Sequence, residues 1–192
     1  MSYLSLSLTL FFVLIPLVLS KTLNLGLERD VVIATVRAII QLLAVGYILT
    51  FVFDGDHPAY MLIMILIMIT TATLNARKKG KHIKGITWKL VATITTVEVV
   101  TQGILLGFHI VPATAQYIIP ISGMMIGNAM VLSILFLNRF DAEVQAHKDE
   151  VELILSLGGS PKQAIHHQLM QAIKASMIPT IESQKTIGLV QL

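Results

Sequence analysis

The sequence predicts an all-α, polytopic membrane protein with about six transmembrane segments. Of its 192 residues 55% are hydrophobic and 13% are charged, whereas a soluble domain carries about 25% charged residues. Mean hydropathy is +0.78. The charges are also clustered, which leaves apolar runs approaching the twenty or so residues that cross a bilayer. We expect one transmembrane domain over residues 1–192, with spans at 4–19, 31–53, 58–74, 88–111, 117–137 and 176–192, the last of them incomplete.

The first apolar run, residues 4–19, has two interpretations. Ser20 near its end would suit a cleavable signal peptide, but such a peptide needs a positively charged start. Neither Lys nor Arg precedes the run, and the first cation is Lys21. We therefore favour a first span with its N-terminus outside the cell.

The connection between the third and fourth spans sets the predicted orientation. The basic loop, residues Arg77–Lys89, holds six Lys and Arg residues, and short basic loops stay in the cytoplasm. Alternation then places the turn at Asp54–Pro58 and the loop after Pro112 outside, and residues 138–175 inside. The pI of 9.2 is explained by these loops, without a nucleic-acid partner.

A polar interval, Glu143–Pro179, separates the fifth and sixth spans, and we call it the elbow. Two helical runs are predicted to meet at its Gly-Gly-Ser-Pro turn, residues 158–161. Gly158 suits a helix stop because glycine adopts a left-handed conformation without a Cβ clash. Ser160 can cap the next helix and Pro161 can occupy its first turn. We expect a cytoplasmic helix-turn-helix to which a partner protein can bind.

Glu98 is predicted at the middle of the fourth span, with Gln102 one turn further on. An acidic residue at the bilayer centre costs about 2.5–3.5 kcal/mol on insertion scales, so it usually faces a cavity or a partner. Two interpretations stay open. Glu98 lines a transport path, or it pairs with Arg37 of the second span and only holds the bundle together.

Two small-residue patterns predict close helix contacts. Gly103 and Gly107 lie in the fourth span, and Gly123 and Gly127 lie in the fifth. Glycines four apart let helix backbones approach closely, within one chain or between two copies. Asn128 adds a polar group beside Gly127.

The sequence favours a transport protein over an enzyme. It contains no GxxxxGK[ST], HExxH or GxSxG pattern, so we expect no catalytic residues, no cofactor held by this chain, and no ATP hydrolysis by it. The identity of any metal it handles stays unknown at this point.

Three segments carry a resemblance to a known family. They are Tyr117–Met130, Leu157–Ala164 and Ile178–Leu192. They resemble the FetB-like (UPF0014) ABC transporter permease family, which includes bacterial iron exporters and plant aluminium-tolerance permeases. Glu152 and Gly158 also resemble the ATPase-docking loop of ABC permeases, although Leu153 and Ile154 stand where that loop has alanines.

The resemblance implies a membrane subunit that works as a homodimer with a separate ABC ATPase, which binds the ATP. It implies location in the cell inner membrane, among lipid, and a chain that continues past Leu192. The ATPase-coupling residues would then be in the elbow: Glu152, Gly158, Gly159, Ser160 and Pro161. Candidates for the transport path are Glu98, Asn128 and Glu182, whose hard oxygen ligands suit iron.

The resulting hypothesis is a permease subunit that exports iron or a related metal. Two alternatives remain. An ABC permease could move an organic solute such as a nucleotide sugar, or the chain could be a channel or ion-coupled carrier that works alone.

Overall fold

The computed structural model describes residues 14–55 and 58–190, and all regular secondary structure in these ranges is helical. The chain divides into two compact units, Met1–Asp56 and His57–Leu192. The polar cluster and the elbow described below both belong to the second unit.

The described part of the first unit contains two helices. Helix α1 covers residues 14–22 and α2 runs over Glu28–Gly55. Ser20 organises the connection between them, since its Oγ accepts from the backbone N–H of Leu27 at 3.0 Å and donates to Glu28 Oε1 at 2.9 Å. Buried Ser20 thereby satisfies two polar groups at the start of α2.

The second unit contains six helices in chain order. They are α3 (Pro58–Arg77), α4 (Ile86–Gly107), α5 (Ala115–Ala146), α6 (Lys148–Ser156), α7 (Pro161–Ala164) and α8 (His166–Val190). Helices α3, α4 and α5 pack against one another, and α8 packs along α5. Each of these long helices is rich in Leu, Ile, Val, Met and Ala, and many of its apolar side chains face outward, as expected where lipid is the solvent.

Among the described residues, two layers of packed side chains fix the relative direction of α3 and α4. In one layer Ile69 and Ala72 of α3 meet Ile94 of α4. In the next layer Ala76 meets Leu90, toward the start of α4. From the first layer to the second, residue numbers rise along α3 and fall along α4, so the two helices are antiparallel. Alanines at the contacts allow close approach.

Within residues 14–55 and 58–190, four helices are long and apolar enough to cross a membrane: Glu28–Thr50, Pro58–Arg77, Ile86–Gly107 and Ala115–Ala146. They correspond to the predicted second to fifth spans. Most of the predicted first span, 4–19, lies outside the described residues. Helix α8 contains the described part of the predicted sixth span but is not among the four. The count of six spans therefore stays a prediction.

Helices extend beyond the ends predicted for the fifth and sixth spans. Helix α5 continues to Ala146, nine residues past the predicted span end at 137, and α8 begins at His166, ten residues before the predicted span start at 176. Residues 138–175, predicted to contain a helix-turn-helix, are largely helical. The reason is that polarity marks where a helix leaves the bilayer, whereas helix hydrogen bonding continues into water, helped here by stacking of Phe136 on Phe140.

Helix α4 stops at Gly107, four residues before the end predicted for the fourth span at 111. The next residues form a turn in which His109 has a positive φ of 53°. Backbone bonds close this helix end, since the N–H of Ile110 donates to Leu105 O at 2.9 Å.

Candidate functional site

A buried polar cluster joins α4 and α5 inside the bundle. Glu98 is 3% exposed and Ser122 is fully buried. The Ser122 hydroxyl donates to Glu98 Oε1 at 2.5 Å, and Gln102 Nε2 donates to Ser122 Oγ at 2.8 Å. The three side chains form one chain of hydrogen bonds that ends on the carboxylate.

The second oxygen of this carboxylate has no partner. Glu98 Oε2 is buried and has no hydrogen-bond partner in the part of the chain that the structure describes. A buried acceptor without a partner costs about 1–3 kcal/mol or more when charged. A hydrogen-bond donor or a cation that reached Oε2 would remove that cost.

Pro120 and Gly123 lie on either side of Ser122 in α5. Proline removes one backbone hydrogen bond of a helix and often bends it, and Pro120 lies two residues before Ser122. A Cβ on Gly123 would lie 3.9 Å from Met68 Cε of α3, an ordinary contact distance. Helix α3 is therefore the neighbour of α5 at this level.

The structure does not gather the three predicted path residues in one place. Asn128 is exposed on α5, and Glu182 is exposed on α8, where Lys185 Nζ lies 2.7 Å from Glu182 Oε1. Only Glu98 is in the buried cluster. Its pairing with Arg37 stays a prediction, because the two residues belong to different units.

No group of three or more His, Asp and Glu side chains suited to a metal ion occurs within residues 14–55 and 58–190. Of the four glycines predicted to pack helices, only Gly123 has a neighbour on its Cβ side. Beside Gly103, Gly107 and Gly127 an added Cβ would meet open space in the described chain.

The elbow contains a well-defined helix end. Gly158 has φ +87°, and its N–H donates to Leu155 O at 3.1 Å. The N–H of Gly159 donates to Ile154 O at 2.9 Å. These two bonds form a Schellman motif, which satisfies carbonyls at the end of α6. A Cβ on Gly159 would lie 2.6 Å from Ile154 Cγ2 and 2.8 Å from Ile154 O, so both glycines are required by geometry.

The next helix starts with a complete capping box. Ser160 Oγ accepts from the N–H of Gln163 at 3.4 Å, and Gln163 Oε1 accepts from the N–H of Ser160 at 2.8 Å. Pro161 occupies the first turn. The predicted helix stop at Gly158, cap at Ser160 and first-turn position of Pro161 are therefore confirmed, whereas ATPase coupling by these residues stays a prediction.

The first half of the elbow differs from its prediction. The single helical run expected before Gly158 is broken at His147, where α5 ends and α6 begins. His147 donates its backbone N–H to Glu143 O at 3.1 Å. Neither side-chain cap nor glycine marks this break, so the sequence pattern did not reveal it.

Helix α6 carries an exposed surface next to the turn. Leu157 is 79% exposed and Leu153, one turn earlier, is also exposed. Glu152 on the same helix is exposed and lies 3.4 Å from Lys148 Nζ. Behind this surface, buried Gln168 of α8 donates to Glu150 Oε2 at 3.5 Å. Helix α6 is therefore linked to the start of α8 by this hydrogen bond, while Leu153 and Leu157 face outward.

The basic loop lies at the same end of the bundle as the elbow. His82 Nε2 is 3.5 Å from Asp141 Oδ1, near the end of α5. A Cβ on Gly80 would lie 3.0 Å from Ile86 Cγ1 and 3.3 Å from Leu137, so the loop packs closely on the bundle. This placement agrees with the predicted topology, in which loop and elbow share one side of the membrane.

Comparison with known proteins identifies relatives of the whole chain. The profile of the Uncharacterised protein family (UPF0014) matches residues 3–192. The UPF0014 membrane protein YjkA of Bacillus subtilis is 58% identical over 192 residues, which are 100% of this chain and 77% of that protein.

Two further relatives carry names that mention a metal. The probable iron export permease protein FetB of Escherichia coli is 36% identical over 188 residues, 98% of this chain and 73% of that protein. Protein ALUMINUM SENSITIVE 3 of Arabidopsis thaliana is 30% identical over 183 residues, 95% of this chain and 67% of that protein. No solved structure matches the chain.

Proposed function

The chain belongs to the UPF0014 family of membrane proteins, and from this membership we propose that it is the permease subunit of an ABC transporter. It would work as a homodimer with a separate ATPase subunit. The permease would lie in the cell inner membrane with its N-terminus outside. Its basic loop and elbow would face the cytoplasm, where ATP is present.

The observation that carries this proposal is the elbow. A Schellman helix end and a capping box hold its turn rigid, and the adjacent leucines face solvent instead of the bundle. An exposed apolar surface on a rigid turn is typical of a docking site for another protein. Since Gln168 links α6 to α8 and α8 packs on α5, a partner that moves the elbow would also move helices of the bundle.

Co-purification tests the docking. Affinity purification from solubilised membranes should recover an ATPase subunit containing GxxxxGK[ST]. Leu157→Glu should reduce its recovery at least tenfold, because a charge replaces an apolar contact at the interface. Leu155→Glu is the matched control, since Leu155 is 43% exposed but points to another side of α6. Recovery of no ATPase, or equal loss in both variants, would refute docking by this surface.

We propose iron or a related metal as the transported substrate. The name of the Escherichia coli relative supports iron, and the free oxygen of Glu98 supports a cation that prefers hard oxygen ligands. Glu98 would bind the ion inside the bundle as ATP-driven closure of the ATPase pair moves the elbow. Asn128 and Glu182 would contact the ion elsewhere on its path.

Cellular iron measurements test the substrate. Cells lacking the gene should accumulate iron when loaded with it, and the unmodified gene should restore export. Glu98→Gln should fail to restore it, because the amide cannot neutralise a cation, although its shape preserves the bond from Ser122. If iron content is the same with and without the gene, the iron proposal fails, and an organic solute becomes the better substrate class. If export persists without any ATPase, a carrier that works alone is favoured.

A further inference from the structure

A cleft of about 390 Å³ opens between α4 and α5 at the end of the bundle that carries the basic loop. Seven of its eleven lining residues are apolar, among them Leu90, Val97, Leu132 and Phe136. Three others are hydroxyl residues. The remaining one is Lys89, in the first turns of α4, so a single cation stands at the end of an otherwise uncharged cleft.

The hydroxyl groups in the cleft do not make it polar. Thr93 Oγ1 donates to Lys89 O at 2.9 Å, Ser133 Oγ to Ala129 O at 2.7 Å, and Ser176 Oγ to Ile173 O at 2.9 Å. Each hydroxyl hydrogen is therefore used by its own helix. The surface offered to an occupant is apolar, which suits a hydrocarbon chain better than a polar solute.

The length of the cleft matches one leaflet of a bilayer. Its residues on α4 extend from Ile86 to Val97, a helical rise of about 16 Å. Half of a hydrocarbon core about 30 Å thick is about 15 Å. Because Ile86 begins α4, a cleft of this length would reach from the start of the helix about halfway across the hydrocarbon core.

Positive charge surrounds the open end. Lys89 is the last of the six cations in the basic loop, and no acidic residue lies between Asn75 and Lys89. Trp88, 77% exposed, lies beside Lys89. Exposed tryptophan and clustered lysines at the end of a span are typical of contact with anionic lipid headgroups.

We propose that this cleft binds one anionic phospholipid, with an acyl chain between α4 and α5 and the phosphate on Lys89. The lysines of the basic loop would supply further attraction for the headgroup. Packing of Gly80 against Ile86 and Leu137 holds the loop over this end of the bundle. The proposal concerns lipid recognition and does not depend on the transported substrate.

The apolar walls of the cleft argue against an extended protein segment as its occupant. Such a segment would bring backbone N–H and C=O groups that the walls cannot satisfy. A hydrocarbon chain carries no such groups.

Lipid binding by the purified full chain tests the proposal. Delipidated protein in detergent would be titrated with phosphatidylglycerol or phosphatidylcholine and bound lipid counted by native mass spectrometry. We expect one phosphatidylglycerol per chain, with weaker retention of phosphatidylcholine. Lys89→Gln should weaken phosphatidylglycerol binding about fivefold, the effect of one lysine near a headgroup. Lys162→Gln, in α7, should leave it unchanged.

A second pair of variants tests the acyl-chain site. Thr93→Phe places a ring in the cleft and should abolish stoichiometric binding, whereas Thr96→Phe places the same ring on another exposed side of α4. Equal binding in the two variants, or equal retention of both lipids, would overturn the proposal. Full displacement of phosphatidylglycerol by inorganic phosphate would also overturn it, because that result indicates a site for a free anion. Conversion of a dimer to a monomer by Thr93→Phe would overturn it as well, because that result indicates a protein interface.

Discussion

Ser122→Ala should destabilise the bundle by about 1–3 kcal/mol. The substitution removes two hydrogen bonds, from Gln102 Nε2 at 2.8 Å and to Glu98 Oε1 at 2.5 Å. Interhelical hydrogen bonds in membranes average about 0.6 kcal/mol and reach about 1.7 kcal/mol, so two of them give this range. The upper part is expected, because Glu98 Oε2 already lacks a partner and the variant would leave both carboxylate oxygens unpaired.

Ser133→Ala is the matched control. Ser133 lies on the same helix, but its hydroxyl donates only to Ala129 O at 2.7 Å, and alanine is a better helix former. Ser133→Ala should change the free energy of unfolding by no more than about 0.5 kcal/mol. Unfolding in mixed micelles can be followed by the fluorescence of Trp88, the single tryptophan. If the two variants differ by less than about 0.3 kcal/mol, the hydrogen-bond chain does not stabilise the bundle.

Three further predictions concern the elbow, the glycine pattern and α8. Gly159→Ala should cost about 1–3 kcal/mol locally, because its Cβ would lie 2.8 Å from the backbone oxygen of Ile154; faster amide hydrogen exchange over residues 158–164 would report it, and unchanged exchange would contradict it. Gly103→Leu should leave the melting temperature unchanged, since the position faces open space. The same change should reduce the yield of cross-linked dimers if α4 forms the dimer contact. A lower melting temperature of the monomer would argue against an open space beside Gly103. Glu182→Gln should alter stability by less than about 1 kcal/mol, because the ion pair with Lys185 is exposed, so any large loss of iron export in this variant would be an effect on the path.

The sequence predicts the second to fifth spans because the length and hydropathy of an apolar run can be read along the chain without knowledge of its packing. The apolar runs at 31–53, 58–74, 88–111 and 117–137 each contain most of one observed helix. Their ends are less predictable, as α5 shows by continuing to Ala146. Hydropathy detects where residues meet lipid, whereas the helix end depends on caps and on tertiary contacts such as that between His82 and Asp141.

The turn in the elbow is also predictable, because its causes are local. Gly158, Ser160 and Pro161 each act through backbone geometry within a few residues. The break at His147 was missed because it has no such local signal. A helix end without glycine, proline or a side-chain cap is set by neighbouring structure.

The partner of Glu98 could not be predicted, because it depends on the register of two helices. Ser122 lies 24 residues away in sequence, and several small polar residues occur in α3 and α5. The sequence provides a weak signal in the spacing of Glu98 and Gln102, which places both on one face of α4. A polar face inside a bundle indicates a polar neighbour on another helix. Which residue this is depends on how α4 and α5 pack, and here it is Ser122.

Helix α5 connects the polar cluster with the elbow. From Ser122 to Ala146 it is continuous, a length of about 36 Å, and α8 packs beside it. A helix of this kind transmits a tilt with little bending, except at a proline. Pro120, just before Ser122, is therefore the position where motion of the elbow would be converted into a change at Glu98. In the proposed transporter, this arrangement would let a partner outside the membrane alter the surroundings of a carboxylate inside it.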